Sequence, residues 1–252
     1  MALVCPEDAE MSAFGGWIDS AAAYIGFQDV ADPNRTLLLD PVMLRLAGEV
    51  RGLRVLDVGC GEGRFMRMLA ERGARPAGID PIPQMLQASM ERGSGDLVRA
   101  MAEHLPFADA SFDLVVSYVT LIDIPGYADA IASMARVLRP GGRLLVANLG
   151  FVTAGYGWEK AEDGTRLYQK IDRYADEWSQ VYDWVALGGG RIRIENHHRP
   201  LANYMQAYLG AGLILRAFEE PVPQDQSLRE QHYFEDWFRV PIFNVMLWEK
   251  PA

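Results

Sequence analysis

The sequence predicts an α/β fold, an open and mostly parallel sheet with helices packed on both faces. Three observations carry that prediction. Short apolar runs lie around residues 54–58, 76–80 and 112–117, the first closed by a glycine loop and the second ending on an acid. Helical periodicities of ~10–15 residues separate them. The unit recurs without any fixed-period repeat or low-complexity tract. Strands that alternate with helices in this way form parallel βαβ units with right-handed crossovers. At 252 residues the chain has room for one large domain or two small ones, and for a substantial core.

The elements follow in order. Residues 12–50 read as mainly helical, with Thr36 as the N-cap of a helix over Leu37–Ala47. Arg-Val-Leu-Asp-Val, 54–58, is a buried strand closed by Gly59-Cys60-Gly61-Glu62-Gly63, after which Phe65, Met68, Leu69 and Arg72 repeat at helical spacing up to Gly73. A second strand, Pro76–Ile79, ends on Asp80, and Pro81-Ile82-Pro83 opens a helix over Gln84–Arg92. Phe112–Ser117 reads as a buried strand. Ile131, Met134, Ala135 and Leu138 then share one helical face, before Arg139-Pro140-Gly141-Gly142 turns the chain into a strand over Arg143–Ala147. Residues 150–190 break the pattern with Trp158, Tyr168, Tyr174, Trp178 and Trp184, and are expected to form an inserted cap. The pattern resumes with a helix over Pro200–Ala211, a strand over Leu213–Phe218, an acidic Pro-rich connection and a last strand near Ile242–Trp248. Two closing strands joined by a long connection predict an antiparallel C-terminal hairpin. The expected organisation is a single domain, 1–252: an N-terminal helical cover (1–50), a core (51–149), the cap (150–195) and a C-terminal completion of the sheet (196–252).

Composition excludes several classes. There are 24 Lys and Arg against 34 Asp and Glu, a net charge of −10 without a basic run, which argues against a nucleic-acid partner. Cys5 and Cys60 are too few and too far apart for a disulfide framework or a four-ligand zinc site. They predict a reducing, cytoplasmic setting and no metal. Met1–Glu10 holds acids at Glu7, Asp8 and Glu10 and no basic start before an apolar run, so no secretory signal is expected. No stretch approaches ~18 uninterrupted apolar residues, so no membrane partner is expected. The oligomeric state is left open between monomer and homodimer.

The glycine loop is the strongest local signal. Gly59, Gly61 and Gly63 after a strand let backbone approach a ligand and leave helix N-terminal N–H groups facing it. A dinucleotide site prefers G-x-G-x-x-G, whereas the spacing here is G-x-G-x-G with an acid, Asp57, inside the strand end. Carboxylates at Asp57 and Glu62 repel a pyrophosphate but suit a cationic or amine-bearing ligand. Asp80, 17 residues after Gly63 at the tip of the second strand, is placed to accept from a ribose diol. Together these features point to a nucleoside bound without a diphosphate.

Five segments in order carry a resemblance: Val55-Leu-Asp-Val-Gly-Cys-Gly-Glu-Gly-Arg-Phe65, Gly78-Ile-Asp-Pro81, Ala102-Glu103-His-Leu-Pro-Phe107, Ser111-Phe-Asp-Leu-Val-Val-Ser117 and Arg136-Val-Leu-Arg-Pro-Gly-Gly142. They resemble the motifs of class I S-adenosylmethionine-dependent methyltransferases, most closely the small-molecule and quinone-biosynthesis branch. The resemblance covers residues 53–149 well and 199–249 more loosely. It implies a Rossmann-like seven-stranded, mostly parallel sheet and S-adenosyl-L-methionine as cofactor, with S-adenosyl-L-homocysteine as product. By that resemblance Gly59, Cys60 and Gly61 lie along the amino-acid part of the cofactor with Asp57 near it. Asp80 and Pro81 stand at the ribose, and Ile82 and Met85 pack on the adenine. Ala102 meets the adenine edge through its backbone, while Ser117 and Tyr118 flank the amino acid and the methyl donor. The family commonly has an acid before Ala102; here Met101 stands there, and Glu103 is the substitute acceptor. Tyr24 and Arg35 resemble residues of the cover that close over the cofactor carboxylate; the alternative is an aromatic on a helix face and a solvated arginine.

The implied reaction is in-line methyl transfer to an O or N atom of a small, ring-containing metabolite or natural product. It needs the acceptor ~3–3.5 Å from the methyl and, for a hydroxyl or protonated amine, a base. His197 and His198, where the chain returns from the cap, are the candidates, because a histidine titrates near neutrality. Neighbours on a strand point to opposite faces, so one serves, and the Arg-Pro context after His198 resembles related enzymes. His104 and His232 rank below them; Asp123 either faces the acceptor or caps a turn. The cap aromatics are expected to be mostly core, with one or two lining the acceptor pocket. The rivals are a protein or RNA acceptor, a nicotinamide-dependent oxidoreductase on a similar sheet, disfavoured by the glycine spacing with Asp57, and a cofactor-binding module without turnover.

Overall fold

A computed structural model describes residues 14–29, 32–186, 189–230 and 234–252; Cys5, the first ten residues and His232 lie outside them. The chain runs through α1 (Trp17–Asp29), α2 (Asp40–Ala47), β1 (Arg54–Val58), α3 (Arg64–Ala70), β2 (Arg75–Asp80), α4 (Pro83–Glu91), β3 (Asp96–Arg99), β4 (Phe112–Tyr118), α5 (Tyr127–Val137) and β5 (Leu138–Leu149). Then follow β6 (Gly155–Lys160), β7 (Arg166–Ile171), β8 (Trp178–Val185), β9 (Arg191–His198), α6 (Leu201–Gly210), β10 (Ile214–Glu219), α7 (Glu235–Arg239) and β11 (Phe243–Glu249).

Seven strands form one sheet in the order β10-β11-β5-β4-β1-β2-β3. β1 to β5 pair in parallel, and only β11, held antiparallel between β5 and β10, runs against the rest. The buried strands are apolar throughout because both faces are covered. On one face Leu56, Val58, Val115, Leu144 and Val146 pack with Ile131, Met134, Tyr204 and Tyr208 of α5 and α6. On the other, Val55, Leu114, Val116, Leu145 and Val245 pack with Met43, Phe65, Leu69 and Trp237. From β1 the chain winds outward to β2 and β3, then returns across the sheet to β4. That reversal leaves a crevice beyond the carboxyl ends of β1 and β4, where ligands bind in sheets of this kind.

Three local readings are corrected. Thr36 does not cap a helix: the helix starts upstream, where the Asp32 carboxylate accepts from the Asn34 N–H at 2.9 Å, and Thr36 Oγ1 donates to the Asp32 carbonyl at 3.2 Å. Residues Asn34–Leu39 form a π-helical turn leading into α2, so that the Asp40 N–H reaches back to the Arg35 carbonyl. β3 is a strand that the sequence reading lacked. β5 starts at Leu138, five residues before its expected beginning.

The insert folds as two antiparallel hairpins, β6–β7 and β8–β9. α1 lies along β9. The Glu195 N–H donates to the Gly15 carbonyl at 2.8 Å, and Ser20 Oγ accepts from the Arg193 N–H and donates to its carbonyl, both at 3.0 Å. α1 also packs Ala21 against Ile82 and Met85, so it bridges the second hairpin and the end of β2. Among the described residues no helix is long and apolar enough to cross a membrane.

Candidate functional site

The crevice is a cavity of about 340 Å³, within the range of small-molecule sites. Its floor is the loop after β1. Gly59 has φ +73°, and a Cβ there would lie 2.1 Å from Thr120 Cγ2; Gly61, at φ +53°, faces open space. The loop is tied to β2: the N–H groups of Gly59 and Cys60 both donate to the Ile79 carbonyl at 2.9 Å. Asp80 completes the tie, accepting from the Gly61 N–H at 3.0 Å and the Ile82 N–H at 2.9 Å. Each carboxylate oxygen still has a lone pair for a hydroxyl donor.

The site is rich in buried acids. Asp57 is 2% exposed and one of its oxygens has no hydrogen-bond partner; burial pushes its pKa up to about 7, opposed by Arg35 and reinforced by Asp80 and Glu62. Burial raises Asp80 to about 6, against its two backbone donors. Glu103 borders the cavity through the turn Ala102–His104, and its buried Oε2 also lacks a partner. Glu62, expected beside Asp57 to suit a cationic ligand, is clamped by Arg67 at 2.6 Å and Arg92 at 2.7 Å, so its charge is met within the protein.

Arg35 and Arg64 supply positive charge. The π-helical turn carries Arg35 into the cavity, where it donates to the Tyr24 hydroxyl at 2.7 Å and lies 4.6 Å over the Tyr118 ring. Such turns recur at functional sites. Arg64 pairs with the buried Asp40, which also accepts from the Tyr118 hydroxyl at 2.7 Å. Val119, just past β4, holds φ at +57°, a strained value for a β-branched residue, and it too lines the cavity.

The structure brings together Tyr24, Arg35, Asp57, Gly59, Cys60, Gly61, Asp80, Pro81, Ile82, Met85, Ala102, Glu103, Tyr118 and His197 on one cavity. Two expected residues are elsewhere. Ser117 is fully buried within β4 and absent from the cavity wall, which Val119 and Thr120 form instead. His198 is 2% exposed and faces away: its Nδ1 shares a hydrogen bond with Thr153 Oγ1 at 2.6 Å, its Nε2 lies 3.0 Å from the Tyr174 carbonyl, and Tyr174 and Trp178 pack on its ring. Strand alternation then turns His197 to the cavity. Its pKa is lowered by burial and by Arg199, opposed by Glu195, so it is neutral at neutral pH.

The cap aromatics do not line the cavity. Trp184 packs against the Ala186, Ile192 and Ile194 cluster that α1 also covers, Trp178 packs on His198, Trp158 lies under the Arg239 guanidinium, and Tyr168 is exposed. Their place is taken by Trp17 and Phe14 of the cover, with Glu195 of β9 and Asp123. Nothing local in the sequence marks Trp17 or Glu195, because the docking of α1 on β9 puts them there. His104 is exposed on its turn.

A nucleoside carrying an amine at each end matches this wall: acceptors without partners at Asp57 and Glu103, and a carboxylate with spare lone pairs at Asp80 between them. The fold and site therefore define a nucleoside-binding α/β protein of the doubly wound kind. Residues 56–146 match the family described as Methyltransferase domain. A ubiquinone biosynthesis O-methyltransferase of Xylella fastidiosa is 32% identical over 179 residues, covering 63% of this chain and 73% of that protein. The crystal structure of an S-adenosylmethionine-dependent methyltransferase from Mesorhizobium loti is 27% identical, covers 83% of this chain and 96% of its own, and superposes with a TM-score of 0.73. An uncharacterized protein of Mycobacterium tuberculosis is 36% identical over 111 residues, and the match spans 40% of its length. The chain belongs to the S-adenosylmethionine-dependent methyltransferase family.

Proposed function

We propose that the protein transfers a methyl group from S-adenosylmethionine to an O or N atom of a small organic acceptor. The observation that carries the reading is the row of acceptors in one cavity: Asp57 for the α-ammonium, Asp80 for the ribose diol, Glu103 for the adenine amine. Arg35 and Arg64 are the cations beside them for the carboxylate, and Ile82 and Met85 form the apolar wall for the base. When bound, the cofactor would supply an activated methyl group on a sulfonium, whose neutral thioether is the leaving group. The protein's part is to hold the acceptor in line, exclude water and remove a proton. α1 and β9 close the cavity, and neutral His197 is able to take the proton. A relative that methylates oxygen in ubiquinone biosynthesis supports a small acceptor. Isothermal titration with S-adenosylhomocysteine, followed by transfer of labelled methyl into a metabolite extract, tests the reading; absence of binding sinks it.

The two histidines are expected to separate. His197→Gln should lower turnover of any acceptor found by about a hundredfold and leave S-adenosylhomocysteine affinity unchanged. His198→Ala should do the reverse, lowering stability by about 2–3 kcal/mol through the loss of a buried, hydrogen-bonded ring. Rate and melting measurements on both variants check this, and a rate defect confined to His198→Ala would reverse the assignment.

A pH dependence follows from the raised acids. Because the folded values of Asp57 and Asp80 lie above the unfolded one, their contribution to stability is complete below 3.8 and is lost as pH rises through about 6 to 7. Cofactor binding runs the other way, since an ammonium at Asp57 needs the ionised carboxylate. The rise in Tm caused by a fixed excess of S-adenosylhomocysteine should therefore grow from about pH 5.5 to about pH 8. A rise that is equal or larger at the acid end contradicts the placement of the amine on Asp57.

A further inference from the structure

Beyond the groups that match the cofactor, the cavity wall carries Trp17, Asp123, Ile124, Glu195 and His197. Asp123 ends the short turn Leu121–Asp123 that follows β4. Two donors hold its carboxylate: Asn196 Nδ2 at 2.5 Å from Oδ1, and the Trp17 indole N–H. It is therefore fixed by the cover on one side and by β9 on the other, and Trp17 in turn meets the Tyr24 ring edge-on at 5.0 Å. It shares the cavity wall with Tyr24 at the amino-acid end of the site and with Asp80 at the ribose end. Those two ends of the cofactor join at sulfur.

We infer that Asp123 is the acceptor-side carboxylate of this site, facing the donor methyl and holding the acceptor by the O–H or N–H that reacts. The inference rests on the methyl-transfer reading above and narrows it. The acceptor is neutral or cationic around its reacting atom, because Glu195, and Asp123 once ionised, repel a carboxylate or phosphate there, while Arg35 and Arg64 are assigned to the cofactor carboxylate. Ionised, Asp123 accepts the hydrogen bond from the reacting group and orients its lone pair to the methyl, while the proton that the reaction releases goes to neutral His197 on the same wall. Burial pushes the carboxyl up to about 8, with Trp17, Asn196 and the nearby Arg199 opposing and Asp80 reinforcing; Tyr24, Glu195 and His197 share the wall.

Two ligands test this without an acceptor. Sinefungin carries an amine-bearing carbon where S-adenosylhomocysteine carries a neutral sulfur, and the adenosine and amino-acid parts are common to both. Titration calorimetry at about pH 8.5 should show the wild-type protein preferring sinefungin, and Asp123→Asn should reduce that preference about tenfold, or 1.4 kcal/mol, with S-adenosylhomocysteine affinity held within about twofold. An unchanged preference overturns the assignment. Should Asp123→Asn lose both ligands, the wild-type protein decides: its preference must rise from about pH 7 to about pH 8.5 as Asp123 ionises, and a flat ratio overturns the assignment. Asp57 and Asp80 face groups that the two ligands share, so their titration cancels in the ratio. If the wild-type protein binds neither ligand, the methyl-transfer reading fails and the inference falls with it.

Discussion

Replacing Asp80 with alanine is expected to weaken S-adenosylhomocysteine binding by at least about a hundredfold, the equivalent of ~2.7 kcal/mol. The carboxylate does two jobs at once. It offers lone pairs to the ribose diol, and it holds the Gly61 and Ile82 N–H groups that join the glycine loop to the start of α4. The alanine variant removes the ribose acceptors and strands two backbone donors, each unmade buried hydrogen bond costing about 1–3 kcal/mol. Asp80→Asn keeps the shape but turns one acceptor into a donor facing a backbone N–H, so it should lose nearly as much. Titration calorimetry on folded variants measures this. A loss below about tenfold for both would place the ribose elsewhere.

Gly59→Ala should be the most damaging single change to the loop. Its Cβ would stand 2.1 Å from Thr120 Cγ2 and 2.6 Å from Thr120 Oγ1, on a backbone held at φ +73°. The left-handed backbone costs roughly 1–2 kcal/mol with a side chain and overpacking roughly 1–3 more, so a loss near 3 kcal/mol is expected, or a Tm lower by about 6–12 °C. Cofactor affinity should fall with it, because relief requires either the loop or Thr120 to move into the cavity. Thr120→Ala in the Gly59→Ala background should recover part of the stability by removing the two nearest atoms. Melting curves for the single and double variants check this, and a single variant within about 1 kcal/mol of wild type would show that the loop relaxes freely.

These two residues also show what local sequence conveys. Asp57, Gly59, Gly61 and Asp80 sit at strand ends, and buried parallel strands read as continuous apolar runs, so the places where such runs stop are visible. β3, Asp96–Arg99, was not visible: it has four residues on a sheet edge, with only Leu97 and Val98 half-buried, and carries no periodic signal. Arg35 was named by resemblance, but the π-helical turn that carries it to the cavity leaves no mark in residue type. The pair His197 and His198 shows the limit most directly. Alternation in β9 separates them, yet which one meets the cavity depends on the pairing of β9 with β8 and the docking of α1 on it. The Arg-Pro context favoured His198; packing by Tyr174 and Trp178 buries it.

The sequence by itself determined the α/β class, the strand ends and the cofactor half of the site, because each depends on short-range order: apolar runs, glycines that permit a tight loop, and acids where runs end. The half we assign to the acceptor was left open by the sequence, which offered His197, His198 and Asp123 as alternatives, and only the tertiary structure shows which of them reach the cavity. Trp17, Asp123, Glu195 and His197 come from the cover, the turn after β4 and the second hairpin, which meet across more than 170 residues of chain, as the Ser20–Arg193 bond shows. Contacts at that separation arise from the burial of Ala21, Ile192 and Ile194 between elements whose own patterns record only that they have an apolar face, and not which partner covers it.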